Sequence, residues 1–349
     1  MQNLLSKTKN LFRSLVAKAK QHPKISIGIS LAASWAWGTS LVVGIEIIQT
    51  KGILPFIIWA IANTLSLPLF GLIAFRIKKL DAIVNSKPVM VFTTIVQIFC
   101  MWINMNAIYQ ILSINTGFVS ETTGKIVAIV IAVVFLFILS KNGIWRGIIA
   151  DSPIWNMCYV CLIAAAIIGF CAGTPTFAIQ ALNGGDTTYI TWALNTCVIL
   201  FSGPIMDIQN WQIAKEAKEK YAMNAYNFGG ILFGLYMVLV LILGCLQFNV
   251  AMNICLVIIV VCVATSTIDN AIVGVQKIAG PKVGFIIAAV SIVSWRLVQN
   301  MGVMGLWTFM GNWRKWVAIA CIVIALVWGY VEKRKKAKTA VLSNEKTGN

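Results

Sequence analysis

A polar cluster lies within one of the most apolar parts of the sequence. The stretch VATSTIDN, residues 263–270, carries two threonines, a serine, an aspartate and an asparagine between the runs CLVIIVVC and AIVGVQ. On a helix, spacings of three and four residues place Val263, Ser266, Thr267 and Asn270 on one face. Their hydroxyls and one loosened carbonyl could hold Na⁺, because hard cations prefer oxygen ligands. The same hydroxyls could instead bond to carbonyls of their own helix or join two helices, and residue chemistry leaves both interpretations open.

Two other segments combine glycine, proline and polar side chains within apolar runs. The first is SWAWGTS at 34–40, and the second is LFSGPIMD at 200–207. In the second, Gly203 loosens a helix and Pro204 removes a backbone donor. A break at this depth exposes carbonyls and amides, which a membrane tolerates only where they line a cavity or meet protein. A single kink is commonly packing, but two kinks at matching places favour a binding site.

The two breaks and a third polar run supply the candidate substrate ligands. The third run, QIFCMWINMN at 97–106, places amide side chains in the middle of an apolar stretch. Indole rings can stack on a planar solute or face a cation. Such a lining suits a small neutral or zwitterionic solute, such as an amino acid, a urea-like compound or a nucleobase. The candidate substrate-binding residues are Trp35, Gly38, Thr39, Ser40, Asn104, Ser202 and Gly203.

Two aspartates are candidate coupling acids. Asp207 follows the second break, where it could receive a cationic group or a proton, or lie at the interface as the first residue of an amphipathic segment, 207–221. Asp269 follows Ser266 by three residues. It could tune a cation site electrostatically or cap the inner end of its helix.

Bulk composition predicts an integral membrane protein. Of the 349 residues 59% are hydrophobic and 11% charged, and the mean hydropathy is +0.85. The nine cysteines lie in apolar runs and the single histidine, His22, lies near the N-terminus, which argues against a zinc site or histidine-based catalysis. No acid/base pair or nucleophile with a base is evident, so we do not expect an enzyme. The absence of a phosphate-binding glycine loop disfavours an ATP-driven pump.

Ten apolar stretches are long enough to cross a bilayer. Residues 26–331 are therefore predicted to form a transporter core of two repeats, 26–172 and 187–331. Basic tails precede and follow it at 1–25 and 332–349. The ten predicted spans are 26–48, 53–75, 89–112, 125–140, 155–172, 187–206, 224–246, 251–274, 283–306 and 316–331.

Basic residues predict the orientation, because they collect in cytoplasmic loops. With both termini in the cytoplasm, most of the 28 lysines and arginines fall on the inner side. The formal charge of +17 then reflects topology and attraction to anionic membrane lipid, and we expect no nucleic-acid partner. The basic residues left for the outer side are Lys51, Lys125, Arg296, Arg314 and Lys315.

Three segments together resemble the sodium:solute symporter family. STIDNAIVGVQKI at 266–278 resembles the eighth core span of that family. DIQNWQIAKEAKEKYA at 207–222 is similar to the pattern after the sixth span, with Ile213 standing where arginine is usual. SWAWGTSLVVG at 34–44 resembles the interrupted first span more loosely. The resemblance covers most of the chain in order, through short motifs.

The resemblance implies an all-α polytopic fold of the LeuT-like type. In that fold, which belongs to the amino acid–polyamine–cation superfamily, about ten helices form two inverted five-helix repeats, and helices 1 and 6 are interrupted. It also implies a Na⁺ site with hydroxyl ligands from Ser266 and Thr267. The backbone carbonyls of Ser34, Trp37 and Val263 would complete the site.

The leading hypothesis is therefore a sodium-coupled symporter of a small polar organic solute, with Na⁺ as its coupling ion and no other cofactor. It would span a plasma membrane, as in a bacterial cell, with many passes. One alternative is a proton-coupled or nucleobase permease of the same superfold, with Asp207 or Asp269 carrying the proton. Another is a transport-inactive membrane protein that retains the fold, which the short chain and Ile213 keep open.

Overall fold

The described part of the chain consists of helices and their connections. The computed structural model describes residues 19–139, 144–172, 186–216 and 218–347, together with Ser14 and Ala17. Apolar runs become helices in a bilayer because a helix satisfies its backbone groups internally. In these residues the α-helices are α1 Pro23–Trp35, α2 Gly38–Lys51, α3 Ile53–Arg76, α4 Leu80–Val84, α5 Lys87–Tyr109, α6 Glu121–Leu139, α7 Ile144–Cys171, α8 Thr187–Ser202, α9 Ile208–Glu216, α10 Lys218–Gly244, α11 Val250–Ala279, α12 Pro281–Ser294 and α13 Gly302–Thr347.

Several of these helices can cross a membrane. Among the described residues, seven helical segments are long and apolar enough, or eight if the bent pair α1 and α2 counts as one span. The predicted all-α, multi-pass membrane protein is therefore confirmed at this level, and the ten-span arrangement stays a prediction. Helices α6 and α12, which correspond to the predicted spans 125–140 and 283–306, are not in that set.

The last two predicted spans have different limits in the structure. Helix α12 ends at Ser294, and two short 3₁₀ turns, Trp295–Leu297 and Gln299–Met301, follow it. Helix α13 begins at Gly302, whose φ of 68° belongs to the left-handed region that glycine favours. The prediction that one span continues to residue 306 is therefore wrong, because the turns end it. Helix α13 also continues past the predicted start of the C-terminal tail.

Both predicted helix breaks are present. Between α1 and α2, residues Ala36 and Trp37 leave the helix, and the two axes differ by 57°. Helix α8 ends at Ser202, a 3₁₀ turn occupies Pro204–Met206, and α9 starts after Asp207, which is extended at φ −101° and ψ 109°. Proline cannot donate to the preceding turn, so the second break follows directly from the local sequence.

The helices pack in pairs that repeat when the two halves of the core are exchanged. Helix α1 packs against α10 and α7, while α8, at the start of the second half, packs against α3 and α13. Helix α7 packs against α11, and α13 packs against α5. The pairs α3 with α10 and α5 with α11 join the halves. By order along the chain, α1, α3, α5 and α7 of the first half correspond to α8, α10, α11 and α13 of the second half, each five predicted spans later.

The first break depends on an amide from α5. The Oδ1 atom of Asn104 accepts a hydrogen bond of 2.8 Å from the Gly38 backbone N–H, and its Nδ2 atom donates to the Cys100 carbonyl at 2.7 Å. A Cβ atom at Gly38 would collide with the side chain of Ala107. Asn104 therefore caps the start of α2, and Gly38 allows α5 to approach it closely.

Replacing Asn104 with alanine is expected to destabilise the protein. It leaves the buried N–H of Gly38 without its acceptor, which costs about 1–3 kcal/mol. Thermal unfolding of the purified protein in detergent measures the loss as a lower midpoint. The matched control is Asn312→Ala, because Asn312 is exposed and its side chain bonds only to half-buried Lys315 among the described residues. Equal midpoints for the two variants would contradict the capping role.

Candidate functional site

A small cavity lies where the two broken helices meet. Its volume is ≈ 20 Å³, which corresponds to about one or two water-sized sites. Four tryptophans form much of its wall, and Leu200 adds an apolar contact. Thr39, Ser40, Asn63 and Arg314 supply the polar groups. The tryptophans are Trp35, Trp37, Trp59 and Trp307.

Trp35 connects the first break to α3. Its Nε1 atom donates to Asn63, to the side-chain oxygen at 2.8 Å and to the backbone carbonyl at 3.1 Å. The edge of its ring also lies against the second break, since a Cβ atom built at Gly203 would be 2.5 Å from Trp35 Cη2. The two breaks are therefore in direct contact.

Arg314 is a component of this cavity that the sequence analysis assigned to the outer side. The side of the membrane stays a prediction, but the position in a loop between spans is wrong, because α13 begins at Gly302 and carries Arg314 into the protein, where its exposed fraction is 3%. Its Nη2 atom donates to the Ile199 carbonyl at 3.2 Å, and its Cζ atom lies 5.8 Å from the centre of the Trp37 ring. A count of basic residues does not show whether a residue lies in a loop or in a helix that begins before the predicted start of the span.

Asp207 is buried, so the interpretation of this residue as an interfacial acid is wrong. Its exposed fraction is 6%. The Oδ1 atom accepts hydrogen bonds from Gln97 Nε2 at 3.2 Å and from the backbone N–H of Gln209 at 3.1 Å. The carboxylate thus caps α9 and ties the second break to α5. It does not line the cavity.

A second buried acid, Asp151, was missed by the sequence analysis. Its Oδ1 atom accepts a hydrogen bond from Ser266 at 2.7 Å, and its Oδ2 atom accepts one from Ser30 at 2.5 Å. The exposed fraction of Asp151 is 2%. Asp151 therefore connects α7 with α1 and α11. The predicted fifth span began at residue 155, whereas α7 is helical from Ile144, and the sequence signal was an acid beside an apolar run.

The predicted ion ligands lie on helices that contact each other. Helix α11, with Val263, Ser266 and Thr267, packs against both α1 and α2. Of the two predicted hydroxyl ligands, Ser266 bonds across helices, while Thr267 Oγ1 donates back to the Val263 carbonyl at 3.0 Å. Ser34 Oγ donates to Leu31 O, and the Trp37 carbonyl accepts the backbone N–H of Ser40.

The polar stretch of α11 is buried on more than the one predicted face. Residues 262–269 are all buried, including Thr265 and Asp269. Asn270, which the helical spacing placed on the polar face, is half-buried. Helix α11 packs against α1, α5 and α7, and Ser266 within this stretch bonds to Asp151 on α7.

No protein-family model and no curated protein sequence matches this chain.

Some of the remaining predicted substrate-binding residues line the cavity, and the others lie at the helix breaks beside it. Thr39 and Ser40 line the cavity with Trp35. Ser202 donates to the Ile199 carbonyl at 2.7 Å, the same oxygen that Arg314 contacts. The predicted residues Gly38, Asn104 and Gly203 do not line the cavity; they allow and fix the shape of the two breaks.

The site offers two chemically distinct halves. The first is a carboxylate between two hydroxyls, at Asp151, which is an oxygen set that can hold a monovalent cation or a proton. The second is the aromatic cavity beside Arg314, with hydrogen-bond donors and flat indole faces suited to an organic solute. Helix α1 contributes to both halves, through Ser30 and Trp35.

Proposed function

We propose that this protein is a cation-coupled secondary active transporter of a small polar organic solute, with Na⁺ as the leading coupling ion. The observation that carries the proposal is Asp151, buried between the hydroxyls of Ser30 and Ser266. An ionisable group within a membrane protein is costly and commonly marks an ion pathway. A carboxylate and two hydroxyls supply three or more of the oxygen ligands that a hard cation needs.

The position of this acid supports coupling between cation and solute. Asp151 bonds to Ser30 on α1, and α1 ends at Trp35, which lines the solute cavity. A cation bound at Asp151 would hold α1 against α7 and α11. It would thereby favour the arrangement of the break that binds solute. Because binding free energies are linked, the solute would increase cation affinity by the same factor.

The arrangement of helices supports a transporter of the inverted-repeat type. Two interrupted helices, each the first predicted span of its half, meet in the structure, and the packing pairs correspond between the halves. Together with the resemblance to the sodium:solute symporter family, these features favour a LeuT-like core with cytoplasmic termini and rocking of one helix group against the other. A plasma membrane is the expected location.

Proton coupling is the second candidate, and the same acid favours it. The two hydroxyls satisfy both oxygens of Asp151 with the hydrogen bonds already present. A carboxyl group in this position can also gain and lose a proton as its surroundings change between the two access states. Asp151 is bonded directly to α1 through Ser30.

Uptake into proteoliposomes tests the proposal. A panel of amino acids, urea-like compounds and nucleobases is offered under an inward Na⁺ gradient, under an inward proton gradient and under neither. We expect at least one solute to accumulate under the Na⁺ gradient. Accumulation only under the proton gradient would select the second candidate, and no accumulation of any solute would contradict transport.

Removing the two predicted hydroxyl ligands is expected to impair Na⁺-driven uptake. The variant Ser266→Ala with Thr267→Ala removes the α11 oxygen beside Asp151, and we expect about tenfold weaker Na⁺ dependence, near 1.4 kcal/mol. The control is Thr94→Ala, because Thr94 bonds only within its own helix among the described residues. Unchanged Na⁺ dependence in the double variant would contradict the assignment of Ser266 and Thr267 as Na⁺ ligands.

A further inference from the structure

Four residues that line the cavity between the broken helices carry buried polar groups without a hydrogen-bond partner among the described residues. These groups are Trp37 Nε1, Thr39 Oγ1, Trp59 Nε1 and Arg314 Nε. The indole and guanidinium groups can only donate. Since an unsatisfied buried donor costs about 1–3 kcal/mol, four of them around one cavity indicate a ligand rich in acceptors.

The charge beside the cavity is positive. A guanidinium has five N–H donors, and within the described part of the chain Arg314 uses one side-chain hydrogen bond, to Ile199. Asp207 is close enough for an electrostatic interaction with Arg314. However, Asp207 Oδ1 is already the acceptor for Gln97 and Gln209, and this residue does not line the cavity. Burying an arginine with unpaired N–H donors costs free energy unless an anion accepts hydrogen bonds from those donors.

We infer that the solute carries a carboxylate that binds to Arg314, with Trp37, Trp59 and Thr39 as further donors. This inference rests on the proposed transport function and narrows its solute class. A carboxylate is an acceptor-only group with about four lone-pair sites, which matches the four unpartnered groups. Amino acids and other organic acids carry it, whereas urea-like compounds and nucleobases lack it.

The size of the cavity limits what binds without rearrangement. A volume of ≈ 20 Å³ has room for about one or two water-sized groups, so it accommodates the anionic end of a solute and little more. The rest of the solute requires movement of the cavity wall, which includes Trp35 and Trp37. Both tryptophans lie at the bend between α1 and α2, the place where a rotation of α1 would displace them.

Binding to the purified full-length protein in detergent tests the inference. The probes are acetate, lactate, benzoate and glycine, each compared with its primary amide, which has nearly the same shape and lacks the negative charge. We expect at least one carboxylate to raise the thermal unfolding midpoint and its amide to leave the midpoint unchanged. In Arg314→Gln the binding of that carboxylate is expected to weaken by about a hundredfold, and in Arg314→Lys by about tenfold.

Two further variants keep the test decisive. Thr39→Val preserves shape and removes one unpartnered hydroxyl, so it is expected to weaken carboxylate binding even if Arg314→Gln does not fold. Lys315→Gln is the matched control, because Lys315 neighbours Arg314, bonds to Asn312 and does not line the cavity. Amides that bind as well as carboxylates, carboxylate binding that survives Arg314→Gln or Thr39→Val unchanged, or a panel in which no carboxylate binds would overturn the inference.

Uptake separates this inference from the proposed function. Cation-driven uptake of a neutral solute that is unaffected by Arg314→Lys would overturn the carboxylate site and leave transport standing. Carboxylate binding that depends on Arg314, without cation-driven uptake of any solute, would support the site and contradict transport.

Discussion

Asp151→Asn abolishes most of the Na⁺ dependence of uptake if the buried carboxylate is the coupling site. The substitution preserves the shape of the side chain and removes its negative charge. Losing a buried charge partner costs about 3 kcal/mol, which corresponds to about a hundredfold increase in the Na⁺ concentration for half-maximal uptake. The measurement is initial uptake into proteoliposomes as a function of external Na⁺.

The control for Asp151→Asn is the same change at a surface acid. Asp81 forms an ion pair with Lys215 at 3.1 Å, and both side chains are substantially exposed, so Asp81→Asn is expected to leave Na⁺ dependence unchanged. Thermal unfolding of Asp151→Asn checks that the protein is folded. The asparagine oxygen can accept from one of the two serines, and its NH2 group can donate to the hydroxyl oxygen of the other, so we expect a midpoint close to that of the unmodified protein. A folded Asp151→Asn variant with unchanged Na⁺ dependence would exclude this acid from coupling.

The same variant distinguishes the two coupling ions. If a proton is carried by Asp151, uptake by the unmodified protein depends on the proton gradient, and Asp151→Asn removes that dependence because an amide does not titrate. If Na⁺ is carried, the proton gradient has little effect in either protein. Uptake is therefore compared in both proteins with each gradient imposed alone.

Gly203→Ala is expected to stop transport by pushing the two breaks apart. The added Cβ atom would be 2.5 Å from Trp35 Cη2, 3.0 Å from the Leu200 carbonyl and 3.2 Å from Arg314 Nη2. Overpacking of this kind costs about 1–3 kcal/mol, and here it displaces two groups that line the cavity. We expect uptake to fall by at least about tenfold, since small displacements of binding groups have large effects, together with a lower unfolding midpoint.

Gly329→Ala is the matched control for that prediction. Gly329 lies within α13, and a Cβ atom there meets nothing within 4 Å. Alanine there is expected to be neutral or to stabilise the helix by about 0.5–1 kcal/mol. Trp35→Phe in the Gly203→Ala background removes the ring edge that collides, so part of the lost stability is expected to return. Normal uptake by Gly203→Ala alone would show that the contact between the breaks is unimportant for transport.

Local chemistry explains why the helix breaks were predictable. Pro204 has no N–H to donate to the preceding turn, and Gly203 accepts close neighbours, so this break depends on residues within a few positions of each other. The first break was indicated by glycine and hydroxyl groups among bulky indoles. Its stability depends on Asn104, which reaches Gly38 from 66 positions away, and no local pattern specifies that contact.

The acids and the arginine show where sequence patterns fail. The hydropathy pattern placed Asp151 in a connection and Arg314 in a loop between predicted spans. A charged residue lowers the mean hydropathy of every sequence window that contains it. Both are buried within helices, since distant partners supply their hydrogen bonds. The partners of Asp151 lie 121 and 115 positions away, and Arg314 bonds to a carbonyl 115 positions away.

The sequence by itself determined the membrane class, the helical content and the positions of both interruptions, because apolar runs and glycine or proline act over short distances. Only the tertiary structure decided which polar groups face one another. The cluster of Asp151 with Ser30 and Ser266, and the cavity of tryptophans beside Arg314, arise from helices far apart in the chain. The free-energy cost of leaving a buried charge or donor unpaired depends on those neighbours. A pattern of residue types along the sequence does not show which residues become neighbours.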